Sequence, residues 1–426
     1  MVALGCLGTI WMINFCIQRY GLSALTIEFE AIRDRFDGGS LYAYRMPGSQ
    51  TGAALSPALA LLLAPLTLLP LEVAGWLLAL AGMAALLLAT VVLAGPVARR
   101  YGHRRTTVVL VVAALALLTT PVRATIGLGR PDLLLFGLVV ADLVALRRAA
   151  WARSRATWWP GRTAAQPIRD RSTGARLRRV WATGTWAGIG TGLATALSAA
   201  PVLFIVYLLI TRQRRAAVTA LVTAATVTLG VLLIAPDETL TWYGTALWEL
   251  DRTAPISDPG NQSLAGLLAR LYGYSAPPVL VWLSFGTLLL AVGLIRARSA
   301  HADGDEIAAF TLVGLTAAVA GPVTGPAEAV WLVPAVLILA DAAMRRRLGT
   351  RLPRSARYAG AGFALAALLG YGLLIAGPGS SFTWNGTAFA LILLVNALPW
   401  RHGSAPAIPV PRPTRKRAAI PVPRGG

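Results

Sequence analysis

The residues best suited to chemistry lie in a polar stretch near the start of the chain, residues 18–52. Apolar residues recur there at three- and four-residue steps, which predicts an amphipathic helix lying on a membrane surface. Glu28 falls on one stripe of that helix, one turn from Ala24 and from Ile32. A carboxylate fixed in this way can take a proton from a hydroxyl group. The plainer interpretation is a solvated helix whose charges pair among themselves. The charged residues are Glu28, Glu30, Asp34, Asp37, Arg19, Arg33, Arg35 and Arg45.

A second polar stretch, residues 236–276, lies in the middle of the chain. It carries five acids, two arginines, several aromatic residues and the tripeptide Asn-Gln-Ser at 261–263. Aromatic residues at such positions usually anchor a protein at the membrane boundary, and this is the expectation for Trp242, Tyr243 and Trp248. The tripeptide also has the form of a glycosylation acceptor, although a bacterial source would make that signal weak.

The composition decides what kind of protein must position these residues. Of 426 residues, 56% are hydrophobic and only 13% are charged, with a mean hydropathy of +0.63. Soluble proteins carry about 25% charged residues, so a soluble enzyme is excluded, as is a disordered or fibrous protein. The net charge of +21 comes from short arginine clusters between apolar runs, which is the pattern of membrane topology. No nucleic-acid partner is therefore expected.

The apolar runs predict an all-α polytopic membrane protein with about 12 transmembrane helices. Proline residues in 53–70 favour a re-entrant or juxtamembrane segment there, and Pro201 divides 181–211 into two short crossings. The positive-inside rule then places both termini in the cytoplasm and the stretches 18–52 and 236–276 outside. The predicted spans are 3–17, 72–95, 106–122, 131–146, 181–211, 216–235, 277–295, 306–322, 328–344, 358–377 and 383–400.

Residues 1–400 are expected to form the transmembrane domain, followed by a basic, proline-rich cytoplasmic tail over 401–426 that is attracted to anionic lipid. The two cysteines and three histidines show no metal-ligand spacing, so no zinc site is expected, and the sequence leaves open whether a metal assists the reaction. No Gly-x-x-x-x-Gly-Lys sequence occurs, and neither a nucleotide nor another resident cofactor is expected.

Five stretches occur in a set order over most of the chain. They are GLSALTIEFEAIRDRFDGGSLYAY, SPALALLLAPLTLLP, GLGRPDLLLFGLVVADLVALRR, APDETLTWYGTALWELDR followed by PGNQSLAGLLARL, and GPVTGPAEAVWLVP. Together they resemble glycosyltransferase family 87, the GT-C mannosyltransferases of actinobacteria that use polyprenyl-phosphate mannose. The resemblance implies a GT-C-like bundle in a bacterial plasma membrane. It also implies three partners, namely the lipid bilayer, a polyprenyl-phosphate sugar and a lipid or glycan acceptor.

The chain departs from the family pattern at positions that carry chemistry. The aspartate that serves as base in the family falls on Ala24, a lysine of the middle span falls on Ser198, and a histidine pair falls on Ala327 and Glu328. The resemblance then implies Glu28, one helical turn along, as the base. It implies Arg130, which replaces a glutamine, and Arg123 as ligands of the donor phosphate. The remaining donor-binding residues are Asn261, Gln262, Ser263 and Glu328.

Two functions remain open for a chain with this pattern. The first is transfer of a hexose, mannose by resemblance, from a polyprenyl-phosphate sugar to an extracytoplasmic lipid or glycan. The second is an inactive member of the same fold that binds polyprenyl lipid or a partner enzyme, which the residues at positions 24, 198 and 327 favour. Transport is disfavoured because the spans are nearly free of charge and no internal repeat is evident.

Overall fold

The computed structural model describes residues 2–48, 51–102, 104–158, 173–348, 354–377 and 385–402. Over these ranges the chain is helical, and the strand-type pairing is one isolated antiparallel bridge between Arg45 and Gly52. The first half contains α1 (Val2–Tyr20), α2 (Ser23–Phe36), α3 (Pro57–Leu63), α4 (Leu71–Arg100), α5 (Arg105–Leu117), α6 (Thr120–Leu128), α7 (Asp132–Trp158), α8 (Thr173–Thr183), α9 (Ile189–Leu197) and α10 (Val202–Ile210). The second half contains α11 (Arg214–Ile234), α12 (Pro236–Gly244), α13 (Leu264–Tyr272), α14 (Val279–Ala302), α15 (Glu306–Ala320), α16 (Leu332–Leu348), α17 (Arg354–Ala376) and α18 (Gly386–Ala397).

Four helices are long and apolar enough to cross a membrane, among the residues described. They are α4, α11, α14 and the Tyr358–Ala376 part of α17. The α5–α6 pair would make a fifth span, bent by 66°. The bend falls where Pro121 starts α6, because proline cannot supply the N–H that a continuous helix needs. The protein is therefore a helical membrane protein, but the expected count of about twelve spans is not confirmed.

Two stretches that the sequence analysis treated as irregular membrane segments, 53–70 and 181–211, form only short helices. Residues 57–68 form α3 and a following 3₁₀ turn, too short to cross a bilayer at 1.5 Å per residue. Ser56 starts this segment by accepting a hydrogen bond from the Leu59 N–H at 3.2 Å. Residues 181–211 are divided near Pro201, as expected, but α9 and α10 have nine residues each. The expected pair of crossings is therefore not confirmed either.

Arginine side chains are drawn together at one end of the bundle. Asp341 accepts ion pairs from Arg100, Arg345 and Arg401, at 3.5, 3.0 and 2.6 Å. These contacts join the ends of α4 and α16 to the segment that follows α18. Most of the tail, residues 403–426, lies outside the described residues.

A buried carboxylate supports the short helix α9. Asp142 on α7 is 1% exposed, and its carboxylate accepts the N–H groups of Gly190 and Thr191 at 3.2 and 2.6 Å. Those N–H groups belong to the first turn of α9, where a helix has no internal acceptors. Gly188 precedes them with φ of 103°, and a Cβ there would meet the Ala216 carbonyl oxygen at 2.1 Å. Asp142 thus supplies the hydrogen-bond acceptors that water would provide at an exposed helix start.

Parts of the two polar stretches pack together, and we call them the loop module (residues 23–56 and 236–252). Tyr42 packs against Trp242 with ring centroids 5.6 Å apart. Arg252 is 3% exposed and donates to the carbonyl oxygens of Ala53, at 2.5 Å, and of Tyr42. It also pairs with Glu249 at 2.5 Å. A buried hydrophobic cluster from both stretches joins them.

Candidate functional site

Helix α2 holds Glu28 beside the turn between α6 and α7. The N–H of Leu22, just before α2, donates to the Gly127 carbonyl at 3.0 Å, and Leu25 packs fully buried. Gly129 in the turn has φ of 74°, and a Cβ there would lie 2.7 Å from the Leu25 Cβ. A glycine is therefore needed for two reasons, its left-handed backbone and this close approach. The turn is thereby brought against the face of α2 next to Glu28.

Arg130 follows that glycine and is held by two carboxylates. Its Nε donates to Asp132 Oδ2 at 2.9 Å, and its Nη2 forms an ion pair with Glu328 Oε1. The other oxygen of Glu328, Oε2, accepts the Gly325 N–H at 2.5 Å. Arg130, Asp132 and Glu328, with Glu28 beside them, form what we call the acid–arginine cluster. Burial lowers the pKa of Arg130, but the negative charges of Asp132, Glu328 and Glu28 outweigh this effect. The net pKa is raised, so the guanidinium stays charged.

The carboxyl of Glu28 is partly buried within this cluster. Its Oε2 is enclosed and has no hydrogen-bond partner among the residues described. Burial raises the pKa of Glu28 to about 7, opposed by the charge of Arg130 and helped by that of Asp132. A carboxylate with this pKa is half-ionised near neutral pH, and a general base works best when its pKa lies near the working pH.

Asn261 ties the second polar stretch to the segment that carries Glu328. Its Oδ1 accepts the N–H groups of Ser263 and Thr324 at 3.1 and 2.9 Å. Its Nδ2 donates to the Pro322 carbonyl at 3.2 Å. Asn261 is 3% exposed, so both ends of the amide are used in a buried place. The residue therefore fixes the backbone that precedes Glu328.

Gln262 and Ser263 add to the same support. Gln262 Oε1 accepts the Ala388 N–H at 3.1 Å, and the Gln262 N–H donates to the Thr324 carbonyl at 2.8 Å. Ser263 Oγ donates to the Pro322 carbonyl at 2.9 Å and caps α13 by accepting the Gly266 N–H at 3.1 Å. These three polar residues bind other parts of the chain, and they position the acid–arginine cluster.

The remaining predicted residue, Arg123, is not brought into contact with Glu28 or Arg130 in the part of the chain that is described. Its Nη2 donates to the Ile375 carbonyl at 2.9 Å and to Thr120 Oγ1 at 3.3 Å. It therefore lies on the side of α6 that faces α17.

The sequence analysis did not select Asp132, although it follows Arg130 by two residues in the same turn. Of the departures from the family pattern, Ala24 lies one helical turn before Glu28, and Ala327 is fully buried directly before Glu328. Ser198 ends α9, far along the chain from either. Among the residues described, no three His, Cys, Asp or Glu side chains are grouped as metal ligands.

The position of the cluster defines the class of protein. Helix α16 follows Glu328 at one end and carries Asp341, with its arginine partners, toward the other. The molecule is thus a helical membrane protein whose acid–arginine cluster lies at the end of the bundle opposite its arginine-rich face. Such a site suits chemistry on lipid-linked substrates at a membrane surface.

Comparison with known proteins gives the particular family. The chain belongs to glycosyltransferase family 87, whose family model matches residues 56–322. Arg123, Arg130 and residues 261–263 lie inside this range, whereas Glu28 and Glu328 lie outside it.

Curated relatives come from mycobacteria. Over 239 residues the chain is 27% identical to a polyprenol-phosphate-mannose-dependent alpha-(1-2)-phosphatidylinositol mannoside mannosyltransferase of Mycobacterium tuberculosis, covering 56% of this chain and 48% of that protein. It is 26% identical over 328 residues to the corresponding pentamannoside mannosyltransferase of Mycolicibacterium smegmatis, covering 75% of this chain and 70% of that protein. The chain thus spans about half the length of the first relative. No solved structure matches it.

Proposed function

We propose that this protein is a membrane hexosyltransferase that moves mannose from a polyprenyl-phosphate sugar to an extracytoplasmic lipid or glycan acceptor. The observation that carries the proposal is the enclosed carboxyl of Glu28, with a pKa of about 7, beside Arg130. The family and the names of the relatives supply the donor class. Their acceptors are phosphatidylinositol mannosides, so a glycolipid is the first acceptor class to test.

The reaction needs a base on one side of the sugar and a cation on the other. The Glu28 carboxylate takes the proton of the acceptor hydroxyl as that oxygen bonds to the anomeric carbon. The bond from the anomeric carbon to the phosphate oxygen breaks, and its electron pair leaves with the polyprenyl phosphate. General-base assistance contributes about 10²–10⁴-fold in rate. Stabilising the departing phosphate is often the larger electrostatic effect, and this is the role of the arginines.

Arg130 is prepared for that role by its two carboxylate partners. A guanidinium has five N–H groups in a rigid fork, and in the described structure Asp132 and Glu328 engage Nε and Nη2. They hold the fork still, so little side-chain entropy is lost when a phosphate binds to the remaining N–H groups. Asn261, Gln262 and Ser263 support this arrangement indirectly, by hydrogen bonds to the backbone of the segment 322–325 that precedes Glu328.

The topology that goes with this function is a GT-C-like bundle of about twelve spans in a bacterial plasma membrane. Both termini lie in the cytoplasm, and the stretches 18–52 and 236–276 lie outside. The arrangement is supported by the arginine-rich face at the end opposite Glu28. A lipid donor enters sideways from the bilayer, so no nucleotide site is required. The reaction uses no resident cofactor.

An inactive member of the family is not favoured. Loss of catalysis would leave no reason for Glu28 to be enclosed next to a charged arginine, since such a carboxyl costs stability when it ionises. The curated relatives considered above carry transferase names. Ala24 and Ala327 are then explained by the neighbouring Glu28 and Glu328, which take over the polar positions.

The test is transfer of radiolabelled mannose by purified protein in lipid vesicles. Polyprenyl-phosphate mannose is supplied with a lipid extract of the host cells, and labelled lipid is followed by chromatography. Labelled product that depends on Glu28 supports the proposal. Donor binding without any product would refute it in favour of a lipid-binding protein.

A further inference from the structure

A pair of aromatic rings lies next to the acid–arginine cluster. The rings of Phe136 and Trp331 meet edge to face, with centroids 4.8 Å apart. Phe136 is 3% exposed and lies on α7, whereas Trp331 ends the 3₁₀ turn Glu328–Trp331 that precedes α16. Edge-to-face packing favours one mutual orientation of two rings. The pair therefore fixes α7 and this turn relative to each other.

Each ring lies one turn along the chain from a carboxylate that holds Arg130. Phe136 follows Asp132 by four residues on α7, which puts both side chains on one face of that helix. Trp331 follows Glu328 by three residues, and side chains three apart lie over each other in a 3₁₀ turn. Arg130 joins the two carboxylates, and the rings join the same two segments one turn away. The ring contact thus sets the separation of the two carboxylates.

Trp331 is held from two further sides. Its indole lies against Gly314 on α15, where a Cβ would overlap the ring atoms. The ring of Phe204, on α10, packs on the indole with centroids 5.1 Å apart. Phe204 in turn contacts Phe310, with centroids 5.6 Å apart, so a column of rings continues into the bundle. A large ring that lies on a glycine and is enclosed by two other rings has little freedom to turn.

We propose that Trp331 is a positioning residue that holds Glu328 where it can clamp Arg130. The inference rests on the proposed function, since Arg130 is the cation assigned there to the donor phosphate. A guanidinium binds a phosphate through parallel N–H groups, so its orientation matters as well as its charge. Displacing the indole moves Glu328 and frees the guanidinium from one of its two partners. Binding of the donor is then weakened although every charge in the cluster remains.

The first experiment compares two pairs of variants of the full-length protein in vesicles. Gly314→Ala displaces the indole but keeps the tryptophan, and Gly230→Ala is its control, because a Cβ at Gly230 on α11 has no atom within 4 Å. Trp331→Leu removes the indole, and Phe310→Leu is its control, because Phe310 is 3% exposed in the same column of rings but further from the cluster. Binding of labelled polyprenyl-phosphate mannose is measured without acceptor. The affinity is expected to fall about tenfold in Gly314→Ala and in Trp331→Leu, and less than about twofold in both controls.

A second readout does not depend on the donor. The infrared band of the protonated Glu28 carboxyl, assigned by its loss in Glu28→Gln, is followed against pH. The charge of Arg130 lowers the pKa of this carboxyl and that of Asp132 raises it. A guanidinium that is no longer clamped should therefore let the midpoint rise above about 7, by about half a unit, in both test variants. The controls are expected to keep the wild-type midpoint.

The two readouts separate this inference from the proposed function. An unmoved midpoint in Gly314→Ala and Trp331→Leu, or a loss of donor affinity that Phe310→Leu shares, would overturn the inference. A wild-type protein that neither binds the donor nor transfers mannose would refute the proposed function. In that case a Glu28 midpoint that still shifts in the two test variants would support the positioning role of Trp331.

Discussion

Replacing Glu28 by glutamine separates catalysis from structure most sharply. Glu28→Gln keeps the size of the side chain but removes the proton acceptor. The rate of transfer, kcat, is expected to fall by about 10²–10⁴-fold, the usual contribution of a general base. Glu30→Gln is the matched control, because Glu30 lies on the same helix with its side chain 45% exposed and, among the residues described, pairs with Arg33 at 3.1 Å. The control is expected to keep nearly full activity.

The pH dependence provides a second readout of the same residue. Because the pKa of Glu28 is about 7, the wild-type kcat/KM is expected to rise with pH and level off above neutrality. Stability moves in the opposite direction. The folded protein holds the Glu28 proton between pH 4.5 and about 7 while the unfolded chain has lost it, so the free energy of unfolding falls as pH rises through this window.

The size of this stability effect follows from the pKa values. A change from 4.5 to about 7 corresponds to at most about 3–4 kcal/mol at 1.36 kcal/mol per pKa unit, and to less for a partly exposed group. Glu28→Gln is therefore expected to gain in Tm relative to wild type at pH 8 and not at pH 4. Transfer rates are measured with labelled donor, and Tm by thermal unfolding in detergent. A Glu28→Gln protein with wild-type kcat, or a loss shared equally by Glu30→Gln, would refute the catalytic role.

Three further predictions concern the supporting residues. Arg252→Met leaves two buried carbonyl oxygens without a hydrogen-bond donor and should lower the free energy of unfolding by about 2–4 kcal/mol. Arg45→Met is the control, and because the Arg45 side chain is 37% exposed it should lower the free energy of unfolding by less than about 1 kcal/mol. Both values are measured by thermal unfolding. Asn261→Ala removes the hydrogen bonds that hold residues 322–324 and should lower Tm and kcat together, and an unchanged kcat would contradict the positioning role. Glu328→Gln weakens the hold on Arg130 and should raise the KM for donor severalfold with little change in Tm, and an unchanged KM would count against that role.

The sequence predicted the helix that carries Glu28 but not the contacts that this residue makes. The helix under Glu28 was predictable because apolar residues repeat at helical spacing in an otherwise charged stretch. The pairing of Arg130 with Glu328 was not, because the two lie 198 residues apart and nothing local links them. Asp132 could have been found, since a carboxylate two residues after an arginine in one turn can reach it.

Other features depended on tertiary contacts. The amide of Asn261 was expected to bind the sugar donor, yet all its described hydrogen bonds are to the chain's own backbone. Hydropathy identifies an apolar run but not the length of its helix, so α9 and α10 were predicted as crossings although each is nine residues long. The carboxylate that starts α9, Asp142, was visible in the sequence only as a charge within a span.

The loop module also constrains the order in which this protein can be made. Its first part, which includes Tyr42, leaves the ribosome about 200 residues before Arg252, the side chain that fills its interior. Until residues 236–252 have been synthesised, the apolar faces of Leu41 and Leu55 have no partner from the second stretch. The surface that carries Glu28 is therefore completed late, after half the helices have been inserted.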